Sequence, residues 1–230
     1  MLNKLLSLIF PTACVRCGKI TNQGFLCRNC KEEYEKELSD GCLSCGNPHE
    51  KCRCDSKYMV NEKMIYAIPY KTDGVSRSLL LKMKTQNKRA LVSHLTDKMA
   101  SALKANGIEN DCIITYVPRS PTKIRLEGVD QSKILAHALA KKTGHRIENV
   151  FLCRGGVKEQ KSLEYSERDI YARSRFSLRR GADEKIKGKK LVLVDDIITS
   201  GATVKVCSEL LIEAGALDVI CLGAGRSVKY

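Results

Sequence analysis

Apolar and polar positions along residues 58–230 fall into blocks whose period switches repeatedly between that of a strand and that of a helix. Residues 64–70 carry an apolar run of strand length. Two helical patterns follow, over 74–84 with Leu79, Leu80 and Met83, and over 89–105 with Leu91, Leu95, Met99 and Leu103. Gly107 closes the second. Residues 112–117 read as a strand stopped by Pro118, a loop leads to Gly128, and 131–143 read as a helix with Ile134, Leu135, Ala138 and Leu139 on one face and Gly144 at its end. Residues 150–152 are strand-like, whereas 155–174 are polar and read as a mobile connection. The run Leu191-Val192-Leu193-Val194 suits a strand buried on both faces, and a helix over 202–214 and a strand over 218–222 complete the series. Strands alternating with helices predict an α/β domain built on a parallel sheet.

The first 57 residues break this pattern, because they carry few large apolar side chains and most of the cysteine. Eight of the twelve cysteines lie within the first 54 residues, as Cys14-x-x-Cys17, Cys27-x-x-Cys30, Cys42-x-x-Cys45 and Cys52-x-Cys54. Close pairs bring two thiolates to one ion, so four pairs predict two closed, structural Cys₄ zinc sites. Gly18 and Gly46 follow the second cysteine of their pairs, where knuckle turns favour positive φ. Zinc would supply stability that so small an apolar core lacks, on the order of 10 kcal/mol per site. Cys112, Cys153, Cys207 and Cys221 sit singly in apolar contexts, as reduced core cysteines do, and disulfides would need an oxidising compartment for which no export signal is read. With four cysteines for the second site, His49 reads as a solvated side chain. Two modules are therefore expected, a zinc-ribbon module over 1–57 and an α/β domain over 58–230, with the boundary near 55–60. Residues 1–11 read as an amphipathic lead-in that docks on the cysteine module, not as a cleaved signal.

Candidate chemistry concentrates just after the apolar run at 191–194. Asp195 and Asp196 come at the strand's carboxyl end, where open α/β sheets place their ligands. Thr199-Ser200-Gly201-Ala202-Thr203 then leads into a helix, and such a turn offers free backbone N–H groups to an anion. Carboxylates for ribose hydroxyls beside a phosphate cradle suit a sugar phosphate. This stretch resembles the phosphoribosyl-pyrophosphate (PRPP) motif of type I phosphoribosyltransferases.

The formal net charge is +14, and eight thiolates with two zinc ions would reduce it to about +10. Residues 119–190 hold 19 Lys/Arg against 9 Asp/Glu, while 1–57 hold 9 against 7, so a polyanion is expected near the former stretch. PRPP and a DNA strand both qualify. No run approaches the roughly 18 apolar residues of a membrane span, so a soluble, cytoplasmic protein is expected. His94, His137 and His145 lack a partner motif and are not expected to be catalytic.

The resemblance widens over Val117-Pro118-Arg119-Ser120-Pro121-Thr122-Lys123-Ile124-Arg125-Leu126-Glu127-Gly128-Val129-Asp130-Gln131-Ser132, followed by Leu135-Ala136 and Leu139-Ala140. Together with the cysteine-rich start, Gln160-x-x-Leu163 through Arg168, Phe176 and the PRPP segment, the chain resembles the ComF family of ComFC-type competence proteins. That resemblance implies a type I phosphoribosyltransferase fold, a parallel sheet flanked by helices, behind a double zinc ribbon. It implies PRPP binding by Asp195, Asp196, Thr199, Ser200, Gly201, Ala202, Thr203, Arg119, Ser120, Lys123 and Arg125, with Lys82 or Lys84 near the same site. Asp195 and Asp196 would be the catalytic pair, and magnesium would accompany PRPP. Gln131, Gln160 and Arg168 fall in family motifs without a role derivable from their chemistry. The resemblance also implies a part in DNA uptake and natural transformation, with single-stranded DNA and an uptake helicase as candidate partners in a membrane-associated complex. A phosphoribosyltransferase of nucleotide metabolism acting on a nitrogen acceptor, and a PRPP sensor without turnover, are the alternatives. Ammonia transfer from glutamine is disfavoured, since the early cysteines are committed to pairs. Departures from the family pattern are Glu127 where arginine is usual, Val129 for phenylalanine, Asp130 for asparagine, and Tyr171 near a usual asparagine.

Overall fold

The computed structural model describes residues 12–21, 24–43, 47–52, 63–83, 88–108, 111–154 and 173–226. The expected lead-in at 1–11, the module boundary at 55–60, most of the polar connection, Gly46, Lys84, Gln160, Arg168 and Tyr171 lie outside these residues.

The cysteine module opens with an antiparallel pair, β1 (Thr12–Ala13) and β2 (Ile20–Thr21), followed by helix α1 (Arg28–Asp40) and a 3₁₀ turn at His49–Lys51. The rest alternates as expected: β3 (Met64–Ile68), α2 (Val75–Leu81), α3 (Lys88–Ala105), β4 (Cys112–Tyr116), α4 (Pro121–Glu127), α5 (Gln131–Thr143) and β5 (Arg146–Ile147). After these come β6 (Phe151–Cys153), β7 (Phe176–Leu178), α6 (Ala182–Ile186), β8 (Lys190–Ile198), α7 (Ala202–Glu213) and β9 (Asp218–Arg226). Five strands form one parallel sheet in the order β3-β9-β8-β4-β5. Two sequence expectations change. The stretch leading to Gly128 contains helix α4 and is not all loop, because Ser120 accepts a hydrogen bond from the Lys123 N–H, Pro121 opens the helix and Gly128 closes it. Residues 151–153 are a strand, but they pair antiparallel with β7 in a separate ribbon.

Leu191, Val192, Leu193 and Val194 are each fully buried, because alternate side chains of β8 enter different cores. Val192 and Val194 join Ile114, Leu222 and the apolar faces of α2, α3 and α5, whereas Leu191 and Leu193 join Phe151, Ile186, Cys207 and Leu211. The first core does not stop at the sheet domain. Cys14, Val15, Leu26, Cys30 and Tyr34 of the cysteine module belong to it.

Polar contacts fix the same junction. The buried Glu37 carboxylate, on α1, accepts hydrogen bonds from the Val75 and Ser76 N–H groups at 2.7 and 2.9 Å, and so caps α2. A Cβ at Gly74 would strike that carboxylate. Tyr34 Oη lies 3.0 Å from His94 Nε2, and the Phe25 ring lies 5.1 Å from the His94 ring. Arg16 donates to the Asp73 carbonyl at 2.5 Å. His94 is thus an interface residue, and burial followed by the charge of Lys98 pulls its pKa down.

Candidate functional site

The order of the sheet places a switch point between β4 and β8. From β4 the chain passes outward to β5, and from β8 it passes the other way to β9. Open α/β sheets bind ligands in the crevice at such a point, beyond the carboxyl ends of the strands. Both acids of the sequence motif lie there. They are part of β8 and do not follow it: Asp195 stands opposite Gly223 and Ile197 opposite Gly225, so β9 continues alongside. Pairing with β4 ends one step earlier, at Tyr116 opposite Val194 and the Val117 N–H to the Val194 carbonyl. Pro118 turns the chain away, and the space beside the acids is filled by Arg119 and by Ser132 at the start of α5.

Ser132 Oγ donates to Asp195 Oδ1 at 2.9 Å and accepts from the Asp196 N–H at 3.2 Å, so one hydroxyl orders both residues. Asp196 Oδ1 accepts from the Ile197 N–H at 2.8 Å, and its Oδ2 accepts from Arg119 Nη2 at 2.7 Å. Arg119 Nη1 pairs with Glu127, and the Arg119 N–H donates to Asp130 Oδ2 at 3.2 Å. Burial, then the adjacent Asp196 charge, pushes the Asp195 carboxyl well above the usual carboxylate range. Burial works against the Arg119 charge, but Asp196, Glu127 and Asp130 more than offset it and raise its pKa.

The turn at 199–203 follows directly. Thr199 and Ser200 are exposed, Ala202 and Thr203 are half-buried, and Gly201 takes φ +80°, a conformation costly for any residue with a Cβ. No side chain caps α7. Its first N–H groups and the positive end of its dipole are therefore available to an anion.

Of the remaining sequence candidates, Ser120 is buried as the cap of α4, Lys123 is half-buried on that helix, and Arg125 is exposed on it. Lys82 ends α2 on the surface. Gln131 is buried with Oε1 lacking a hydrogen-bond partner among the described residues. A cavity of about 530 Å³ opens beside Arg119, lined in part by Tyr116, Asp130, Phe151 and Arg179. Sequence reasoning did not assign Ser132 a role, although a hydroxyl two residues after the helix-capping Asp130 is the available signal.

At the first metal site the sulfurs of Cys14, Cys17, Cys27 and Cys30 all lie within 4.8 Å of one another. Cys17 and Cys27 Sγ are 3.7 Å apart, close to the roughly 3.8 Å separating two thiolates on one tetrahedral zinc with bonds of about 2.3 Å. Gly18, at φ +76°, closes the first knuckle, while Cys27 and Cys30 occupy the N-cap and first turn of α1. Burial opposes the Cys14 thiolate, yet backbone N–H groups of Cys17, Cys27 and Arg16 bring its pKa down to about 6. Cys30 goes the other way, raised by burial and then by its sulfur neighbours. Four convergent sulfurs fit zinc. For the second site, Cys42 and Cys52 are half-buried and His49 is exposed, while Cys45 and Cys54 lie outside the described residues.

Residues 5–59 match the double zinc ribbon domain family, and residues 133–223 match the phosphoribosyl transferase domain family. Competence protein ComFC of Bacillus subtilis (strain 168) is 21% identical over 202 residues, which cover 83% of this chain and 79% of that protein. Among solved structures, the glutamine PRPP amidotransferase from B. subtilis complexed with ADP and GMP is 20% identical, with a TM-score of 0.45 over 65% of this chain and 30% of that one. The structure described as the allosteric regulatory enzyme of purine biosynthesis is 24% identical, with a TM-score of 0.40 over 59% of this chain and 26% of that one. The chain thus corresponds to less than a third of either enzyme. With a double zinc ribbon ahead of a phosphoribosyl transferase domain, and ComFC similarity along most of its length, the chain is similar to the ComF-type family.

Proposed function

We propose that the chain binds PRPP at the carboxyl end of β8 and serves DNA uptake in natural transformation. The observation that carries the ligand assignment is the placement of Asp195 and Asp196, ordered by one serine hydroxyl, next to the uncapped start of α7 at the switch point of the sheet. The two carboxylates accept hydrogen bonds from the ribose hydroxyls, and the N–H groups of 199–203 hold the 5-phosphate. As the bond from ribose C1 to the pyrophosphate oxygen lengthens, the same carboxylates stabilise the positive charge that grows on the sugar. Pyrophosphate leaves with the bonding pair, and a nitrogen lone pair of the acceptor forms the new bond to C1. Arg119 and, further along α4, Lys123 and Arg125 supply cations on the pyrophosphate side, with Ser120 fixing the helix that carries the latter two. Among the described residues only the four cysteines converge as a ligand set. Magnesium accompanying PRPP would supply charge neutralisation at the departing pyrophosphate, and Asp195 and Asp196 are the carboxylates of this site that would face it.

The reading is tested by thermal unfolding with PRPP and magnesium. A ligand present at about 100 times its Kd adds roughly 2.7 kcal/mol, enough to raise Tm by several degrees. The double variant Asp195→Ala, Asp196→Ala should lose the rise, and an unchanged rise would place the ligand elsewhere. Pyrophosphate release dependent on an added base or nucleoside separates a working transferase from a sensor.

The basic excess over 119–190 makes single-stranded DNA a candidate partner, and an uptake helicase is a second candidate that the family resemblance implies. Such a complex would sit at the cytoplasmic face of the membrane. No helix among the described residues is long and apolar enough to cross a bilayer. We also assign 1–57 to the ribbon module and 58–230 to the transferase domain, with a second zinc on Cys42, Cys45, Cys52 and Cys54.

A further inference from the structure

We propose that Glu127 is a specificity-determining residue that makes the site favour the 5-phosphoribosyl end of its ligand over the diphosphate at the other end; this rests on the PRPP reading above. Along the crest of the sheet, the phosphate turn at 199–203, the acids of β8 and the Arg119 guanidinium follow one another, the last two joined by the 2.7 Å contact. A ligand with its 5-phosphate on α7 and its diol on the acids would direct a group at ribose C1 toward Arg119. That guanidinium is already committed. Its Nη2 is bound by Asp196 and its Nη1 by Glu127.

The commitment is built into the fold. Arg119 immediately precedes the Ser120 cap of α4, and Glu127 is the last residue before the Gly128 cap, which adopts φ +73°. Seven residues at about 1.5 Å each span roughly 10 Å, so a helix fixed at both ends sets where Glu127 stands relative to Arg119, within reach of its Nη1. The three side chains are 21%, 32% and 14% exposed for Arg119, Glu127 and Asp196, so solvent weakens their attraction much less than at an open surface. A diphosphate arriving at C1 must displace Glu127 from the guanidinium or lie against its negative charge. No carboxylate bars the 5-phosphate in the same way, since the turn at 199–203 contains only hydroxyl and small residues.

Calorimetric titration of the full chain with PRPP plus magnesium, and separately with ribose 5-phosphate, tests this in the wild type and in Glu127→Gln and Glu127→Ala. Both variants should bind PRPP about tenfold more tightly, the gain of one charge-assisted contact, while ribose 5-phosphate affinity changes less than about twofold. Melting curves of the ligand-free proteins check that each variant is folded, and the isosteric glutamine guards against collapse of the alanine variant. PRPP affinity that is unchanged or weaker in both variants, with ribose 5-phosphate binding intact, overturns the role of Glu127. A wild-type protein that binds neither ligand overturns the PRPP reading itself, and the inference with it.

Discussion

Asp195 pays for its position in the fold at neutral pH. Its carboxyl is raised because burial and Asp196 disfavour its charge, so the folded chain holds this proton more tightly than the unfolded chain does. The sign follows: stability from this residue is complete below the usual carboxylate range and falls as pH rises toward the raised value. Asp195→Asn removes the penalty while keeping an oxygen for Ser132. We expect its Tm to exceed that of the wild type by about 2–4 °C near pH 8, roughly 1 kcal/mol, with the advantage vanishing near pH 3.5. Unfolding scans across that range check this, and a difference independent of pH would refute it. The acids and the phosphate turn were legible in the sequence because their chemistry is contiguous, only six residues lying between Asp195 and Ala202. Ser132 and Glu127 act through space, across 63 and 8 residues; the local signal for Ser132 is only its place two residues after the capping Asp130, and no local pattern gives Glu127 a partner.

At the level of elements, legibility follows burial. Helices α3 and α5 bury apolar faces, and both were predicted within a residue of their observed ends. Helix α4 buries no residue, so it carries no apolar stripe, and only the Ser-Pro start and the Gly128 stop mark it. Helix α1 buries Cys30, Tyr34 and Glu37, a set that a search for apolar periodicity passes over. The value of that set is structural. Removing the Glu37 carboxylate leaves the Val75 and Ser76 N–H groups buried without acceptors, a loss of about 2–3 kcal/mol for hydrogen bonds to a charged group. Glu37→Ala should therefore lower the urea midpoint of the whole chain at unchanged slope, and Glu37→Gln, which keeps one acceptor, should lower it less. A midpoint within error of the wild type would mean that α2 needs no cap from α1.

Over the whole molecule, charge and packing were legible to different degrees. The basic excess between 119 and 190 was plain from counting, and it makes a quantitative demand on any DNA contact. If single-stranded DNA neutralises five or so of these cations, log K should fall with log salt at a slope near −3.5. Fluorescence anisotropy with labelled oligonucleotides measures the slope, and affinity indifferent to salt would exclude a phosphate-led interface. What composition did not show is that the two modules share a core. Cysteine spacing pointed to an autonomous, metal-built unit, yet Cys14 and Cys30 face the same apolar cluster as Leu79, Leu95 and Met99. A zinc ion on Cys27 and Cys30 would also seat α1, and α1 supplies the carboxylate that starts α2. Metal starvation would thus not merely unravel an appendage; it would strip the sheet of part of its covering, making the ribose-phosphate end of the molecule answerable to the zinc supply at the other.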